Sequence, residues 1–173
     1  ISKAEHANSF EYIKRAKENG KALKVGIIFH EKEELFEEVL EKYGDVIDVA
    51  LIQLNFMDWT DQRIQSKKIH SLCVKYGIEV QVMEPVKGGT LLNVSDDVKG
   101  KFADYSDKSI VDWALRFAAS QENVTVVLSG MSNLEQMKEN CETFKNLESI
   151  TQQDHKFLMK MAHEIKKSLA ITS

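Results

Sequence analysis

The sequence is poor in the residues that break or staple a chain. Among 173 residues there is one proline, Pro85, and there are two cysteines, Cys73 and Cys141. Proline-rich linkers and polyproline recognition are thereby excluded, and helices and strands can run with few imposed breaks. Two widely separated cysteines match neither a disulfide framework nor a zinc spacing. Each falls on the apolar side of an expected helix, and both are expected to be reduced core thiols. No apolar stretch reaches the length of a bilayer span, and the opening ISKAEHANSF has no signal-peptide pattern. A cytoplasmic setting without a membrane partner is the expectation. Basic runs are also missing: 23 Lys and Arg are set against 27 Asp and Glu, for a net charge of −4. That balance argues against a nucleic-acid partner. The first residue is Ile1 rather than methionine, which raises the expectation of a processed or excised segment.

An apolar content of 43% is enough for one core. From Ser9 to Asn19, Phe10, Ile13 and Ala16 share a helical face, closed by Gly20. Leu23 to Phe29 reads as a buried strand, and Glu31 to Tyr43 as a helix striped by Leu35, Phe36, Val39 and Leu40. Val46 to Leu54 repeats the strand signature. A helix is expected from about Asp61 to Tyr76, on Ile69, Leu72, Cys73 and Tyr76. The third strand, Ile78 to Met83, runs into Glu84-Pro85-Val86-Lys87-Gly88-Gly89, where Pro85 stops pairing and the glycines permit a sharp bend. A polar loop over about Asn93 to Asp107 leads to a helix with Ile110, Trp113, Ala114, Phe117 and Ala118 buried. A fourth strand near Val124 follows, then a further helix, and finally an amphipathic helix over Thr151 to Leu169 on Leu158, Met161, Ile165 and Leu169.

The fourth strand turns into its helix within three residues. Ser132 and Glu135 have the spacing of a capping box, so that helix is expected to begin at Ser132. Ahead of it, Ser129, Gly130 and Met131 form a small-residue turn beside the positive end of the helix, a natural place for an anion. Strands alternating with helices argue an α/β fold with a parallel sheet. Four units cannot close a barrel, so the chain is either a small open α/β fold or half of an eightfold barrel. In either case the strands at Val25 and Val126 are edges.

The segments VGIIFHEKEELFEEVL, IQLNFMDWTDQ, VMEPVKGGTL and VVLSGMSNLEQMKEN, in this order, resemble the C-terminal half of an aldo/keto reductase. The closest likeness is to the subgroup whose chains end in a ferredoxin-like iron–sulfur domain. The resemblance implies half of a (β/α)8 TIM-type barrel over residues 1–173, a single partial domain holding strands five to eight and a C-terminal helix. It implies NAD(P)H-dependent carbonyl reduction, with NADP or NAD as cofactor. By the family's pattern the pyrophosphate lies along Glu84 to Gly89 and Ser129 to Ser132. The cofactor-binding residues are then Lys87, Gly88, Ser129, Gly130, Met131 and Ser132, with Gln136, Glu139 and Asn140 facing the adenosine end. Phosphate sites of such barrels are built after strands seven and eight, which agrees with this placement. Glu139 could accept from a ribose hydroxyl, which suits NAD, and no arginine stands near Ser132 to pair a 2′-phosphate.

The chain also departs from the family's pattern. Ile28 and Phe29 stand where a serine and a polar neighbour commonly hold the nicotinamide carboxamide, and Leu51 stands where a glutamine is usual, with Gln53 two residues later. The family's catalytic aspartate, tyrosine, lysine and histidine belong to the first half of the barrel. No catalytic residue is therefore assigned here, and His30 is read as a loop residue. His155 and His163 lack partners at ligand spacing, so no metal ligand is assigned, and no iron–sulfur cluster is expected in this segment. Two functions follow. One is the cofactor-binding portion of a reductase, inactive alone and completed by the N-terminal half of the barrel. The other is a non-catalytic half-barrel module that self-associates or pairs with another chain through its open sheet edges.

Overall fold

The computed structural model describes residues 2–171. Its elements run α1 (Ser2–His6), α2 (Ser9–Glu18), β1 (Gly26–Phe29), α3 (Glu33–Tyr43), β2 (Val49–Gln53), α4 (Ser66–Lys75) and β3 (Glu79–Met83). A 3-10 turn (Lys87–Leu92) then leads to α5 (Asp96–Tyr105), α6 (Ile110–Ala119), β4 (Val124–Val127), α7 (Leu134–Lys145) and α8 (Gln152–Ile171). Ile1, Thr172 and Ser173, the ends of the expected 1–173 domain, lie outside the described residues.

The four strands form one parallel sheet in the order β1-β2-β3-β4. β1 and β4 are its two edges, as the alternation of strands and helices predicts. Residues of one parity, Ala50, Ile52, Val80 and Val82, are fully buried against the helices. Their neighbours point to the other face, where Ile28 pairs in register with Leu51, and Leu51 with Gln81. That face is open: Ile28 is 68% exposed. Strands expected to be buried on both sides therefore alternate in burial, because only one face has helical cover.

On the covered side an aromatic cluster forms the core. Phe117 meets Phe56 edge-on at 6.2 Å and Trp59 at 5.4 Å between ring centroids. Phe56 and Phe117 are completely buried. Phe102 packs on Phe157 at 5.1 Å, joining α5 to α8. At the opposite end of the sheet, Phe10 stacks on Tyr43 at 3.9 Å, which seats α2 on α3.

Several boundaries differ from expectation, each for a local reason. β1 begins at Gly26 rather than Leu23, and Leu23 is 92% exposed. α4 begins at Ser66, not Asp61, because the Asp61 carboxylate accepts from the amides of Arg63 and Ile64 and shapes a turn there. The expected polar loop over 93–107 contains α5, which buries only Val98 and Phe102. Two apolar positions one turn apart, with Gly100 between them, leave a weak periodic signal. Cys73 is buried, but Cys141 is exposed, contrary to the expectation of a core thiol. It belongs to an uncovered stripe on α7 with Leu134, Met137 and Phe144, exposed by 58%, 51% and 39%.

Candidate functional site

All four strands are parallel, so their C-terminal ends share one rim, and the loops leaving β3 and β4 are neighbours on it. They enclose a cleft of about 540 Å³ lined by Met83–Val86, Gly88, Gly89, Leu92 and Leu128–Gly130. The two bends singled out in the sequence thus face each other across one space.

The first bend is conformationally unusual. Glu84, Lys87, Gly88 and Gly89 all have positive φ, at 58°, 51°, 57° and 87°. Glycine adopts this region freely, but Glu84 and Lys87 do so against the preference of a side-chain-bearing residue. At Gly88 an added Cβ would come within 3.4 Å of Glu84 Oε2.

The second bend leads into α7. Its N-cap is Asn133, whose Oδ1 accepts from Gln136 N at 2.9 Å. The expected cap at Ser132 with Glu135 is therefore displaced by one residue. Gln136 Oε1 instead reaches back to Ser132 N and Oγ, at 2.8 and 3.1 Å. Asn133 thus supplies the cap acceptor assigned to Ser132, while Gln136 closes back on the residue before the cap rather than on the cap amide. Among the described residues the amides of Gly130 and Met131 have no hydrogen-bond acceptor. They lie just ahead of the positive end of α7.

The other residues singled out fall into place around these bends. Ser129 lines the cleft, and its Oγ accepts from Asn140 Nδ2 at 2.9 Å; Asn140 itself is buried. Glu139 lies outside the cleft lining and accepts from Ser109 Oγ at 2.5 Å, beside the start of α6. Lys87 Nζ donates to both Asp58 oxygens, at 2.7 and 2.8 Å. Met131 is 46% exposed. The rim therefore brings Gly88, Ser129 and Gly130 together, whereas Lys87, Gln136, Glu139 and Asn140 hold neighbouring protein groups.

Residues absent from the sequence-based assignment lie behind the first bend. Asn55 and Asp58, in the loop after β2, are 0% and 1% exposed. Asp58 Oδ2 accepts from Gln53 Nε2 and Asn55 Nδ2, and Asn55 Nδ2 also reaches Glu84 O at 3.0 Å. Polar residues interrupting the apolar run LNFMDW, spaced as Asn-x-x-Asp, were the signal available for them. Farther along the same loop, burial pushes the Asp61 carboxyl up. The hydrogen bond from Lys166 and those from the Arg63 and Ile64 amides outweigh it and bring the pKa down to about 2. Among the described residues no group of His, Cys, Asp and Glu could hold a metal ion, and no helix is long and apolar enough to cross a membrane.

The aldo/keto reductase family profile matches residues 3–162. This chain belongs to the aldo/keto reductase family. Its fold is also that of solved family members. It superposes on an aldo-keto reductase from Bacillus halodurans in its holo form with a TM-score of 0.69 at 20% identity, over 88% of this chain and 54% of the other. Aldose reductase from Giardia lamblia gives 0.68 at 16% identity, over 91% and 50% of the two chains. An aldo-keto reductase from Klebsiella pneumoniae, solved in complex with NADPH, gives 0.64 at 11%, over 88% and 52%. No curated protein matches the chain. It spans about half the length of these structures, and its four parallel strands with alternating helices form part of a TIM-type barrel with a C-terminal helix. A partial barrel also accounts for the open inner face, since the side chains of a closed barrel fill their own interior.

Proposed function

We propose that this chain is the cofactor-cradling portion of an NAD(P)H-dependent carbonyl reductase, equivalent to strands five to eight of the family barrel. The observation that carries this reading is the shared cleft between the two bends, with the Gly130 and Met131 amides beside it and without an acceptor among the described residues. A diphosphate would sit against those amides and the Gly88-Gly89 backbone, at a helix N-terminus that favours negative charge. Ser129 and Ser132 would border it, Asn140 would support it from behind, and Gln136 and Glu139 would lie toward the adenosine end. A nicotinamide bound there would supply hydride for a carbonyl carbon. This chain's residues bind and orient it, while the proton donor belongs to the first half of the family barrel. The Klebsiella pneumoniae complex with NADPH supports a nicotinamide dinucleotide as ligand. The reading includes a cytoplasmic setting and kinship with the subgroup that carries an iron–sulfur domain.

The experiment is a calorimetric titration of the chain with NADH and NADPH, followed by carbonyl reduction assays with and without a supplied first half. Binding without turnover, and turnover on addition of that half, is the expected result. Robust reduction by the chain alone refutes the division of labour.

The exposed inner face favours a second reading, a half-barrel module that pairs through its edges. Ile28, Val126 and Leu128 are 68%, 39% and 47% exposed along the sheet, and α7 carries an exposed stripe of its own. A stable dimer blind to nucleotide in light scattering and titration would select it over the reductase.

A further inference from the structure

The two non-glycine residues forced into left-handed backbone at the first bend, Glu84 and Lys87, are tethered to the same short segment of another loop. Glu84 O accepts from Asn55 Nδ2 at 3.0 Å, and Lys87 Nζ donates to Asp58 at 2.7 and 2.8 Å. Asn55 and Asp58 are tied to each other twice: Asp58 N donates to Asn55 Oδ1 at 2.8 Å and Asn55 Nδ2 to Asp58 Oδ2 at 3.0 Å. Gln53, at the end of β2, completes the set with 2.7 Å to Asp58 Oδ2. The acid is the buried partner of the ion pair, since the Asp58 side chain is 1% exposed against 27% for Lys87.

Burying an ion pair is a weak route to stability, because desolvation of both charges opposes their attraction. Its strength is geometric: a buried carboxylate that accepts four hydrogen bonds from three donors, Gln53, Asn55 and Lys87, fixes the placement of each partner. Glu84 is strained twice over, since it also precedes Pro85 and the residue before a proline prefers extended backbone. Strain of this kind persists only where surrounding contacts over-determine it.

We infer that Asn55 and Asp58 are positioning residues that set the Glu84–Gly89 bend, with Lys87 acting as the peg through which Asp58 holds Gly88 and Gly89 at the cleft. The inference rests on the cofactor reading for its ligand, but the clamp itself does not. In this arrangement the Lys87 charge is spent on Asp58, and anion binding falls to backbone amides.

The test uses the whole chain and the variants Asp58→Asn, Lys87→Met, Lys87→Arg and the Asp58→Asn/Lys87→Met pair. Inorganic pyrophosphate and NADH are the titrants, and amide hydrogen exchange is followed without ligand at Lys87 and Gly89, whose amides donate to Glu84 O at 3.0 Å and Val86 O at 3.2 Å. A clamp predicts exchange at those amides faster by about tenfold or more in Asp58→Asn and Lys87→Met. It predicts pyrophosphate binding weaker by about tenfold in each, because a displaced binding group loses its alignment. The double variant should be no weaker than the worse single, as expected of two residues acting as one unit. Lys87→Arg, which keeps an ion pair, should stay within about threefold of the native chain. Tighter pyrophosphate binding in Asp58→Asn would mean that a freed lysine contacts the anion itself, and would overturn the inference, as would unchanged exchange. Where Asp58→Asn does not fold, the double variant, which leaves no buried charge unpaired, carries the exchange measurement. If the native chain binds neither titrant, the cofactor reading fails while exchange still decides the clamp.

Discussion

Asn140 and Ser129 are eleven positions apart in sequence and joined by one hydrogen bond of 2.9 Å, from Asn140 Nδ2 to Ser129 Oγ. The bond crosses from the second turn of α7 to the bend that precedes it, so the helix fixes where the bend's amides point. Asn140 is buried, and its loss would leave Ser129 without this donor. Asn140→Ala is expected to cost about 1 kcal/mol in urea denaturation, the usual net worth of such a bond. Nucleotide binding by calorimetry should weaken in parallel.

Acid should loosen the link between the β2–α4 loop and α8. Lys166 Nζ lies 2.9 Å from Asp61 Oδ2, and the Asp61 pKa falls from 3.8 to about 2. A carboxylate held below its unfolded value stabilises the native state above that value, and the contribution disappears as pH falls through the folded pKa. Here the loss runs from about pH 4 down to about pH 2, and amounts to about 2 kcal/mol for a group with a 13% exposed side chain. Urea midpoints of the native chain should fall across that window, and those of Asp61→Asn should fall less.

The two thiols should behave oppositely. Burial pushes the Cys73 thiol up to about 12, whereas Cys141 is exposed on α7. Iodoacetamide should label Cys141 in the native chain and reach Cys73 only on unfolding, as read by peptide mass spectrometry. Protection of Cys141 on adding a first-half barrel would place the α7 stripe in the interface.

Thr143 is 2% exposed, and its hydroxyl has no partner among the described residues. Thr143→Val replaces an orphaned polar atom with a methyl group of the same shape. A gain of about 1 kcal/mol in urea denaturation is expected, since desolvation of the hydroxyl is no longer uncompensated.

Removing the ring at the centre of the core should be the most damaging single change. Phe117 is fully buried between Phe56 and Trp59. Phe117→Ala should cost about 3–5 kcal/mol, a transfer loss plus a cavity, measured by the same denaturation.

The sequence by itself determined the order of strands and long helices, because apolar periodicity records which face of each element meets a core. It determined the parallel sheet with β1 and β4 at its edges, and it placed two glycine-bearing bends after β3 and β4. The motifs VMEPVKGGTL and LSGMSNLEQMKEN carried the family likeness that the match over residues 3–162 bears out. Local chemistry misplaced the α7 cap by one residue, since asparagine and serine are near-equals there. It also missed α5, whose two buried side chains, Val98 and Phe102, scarcely mark a face. Only the tertiary structure decided what the charged and polar side chains hold. Lys87 is turned to Asp58, Glu139 to Ser109 and Asn140 to Ser129, pairings across 29, 30 and 11 positions that no local pattern encodes. The same holds for Cys141: a helical stripe states that a face is apolar, but packing alone decides whether anything covers it.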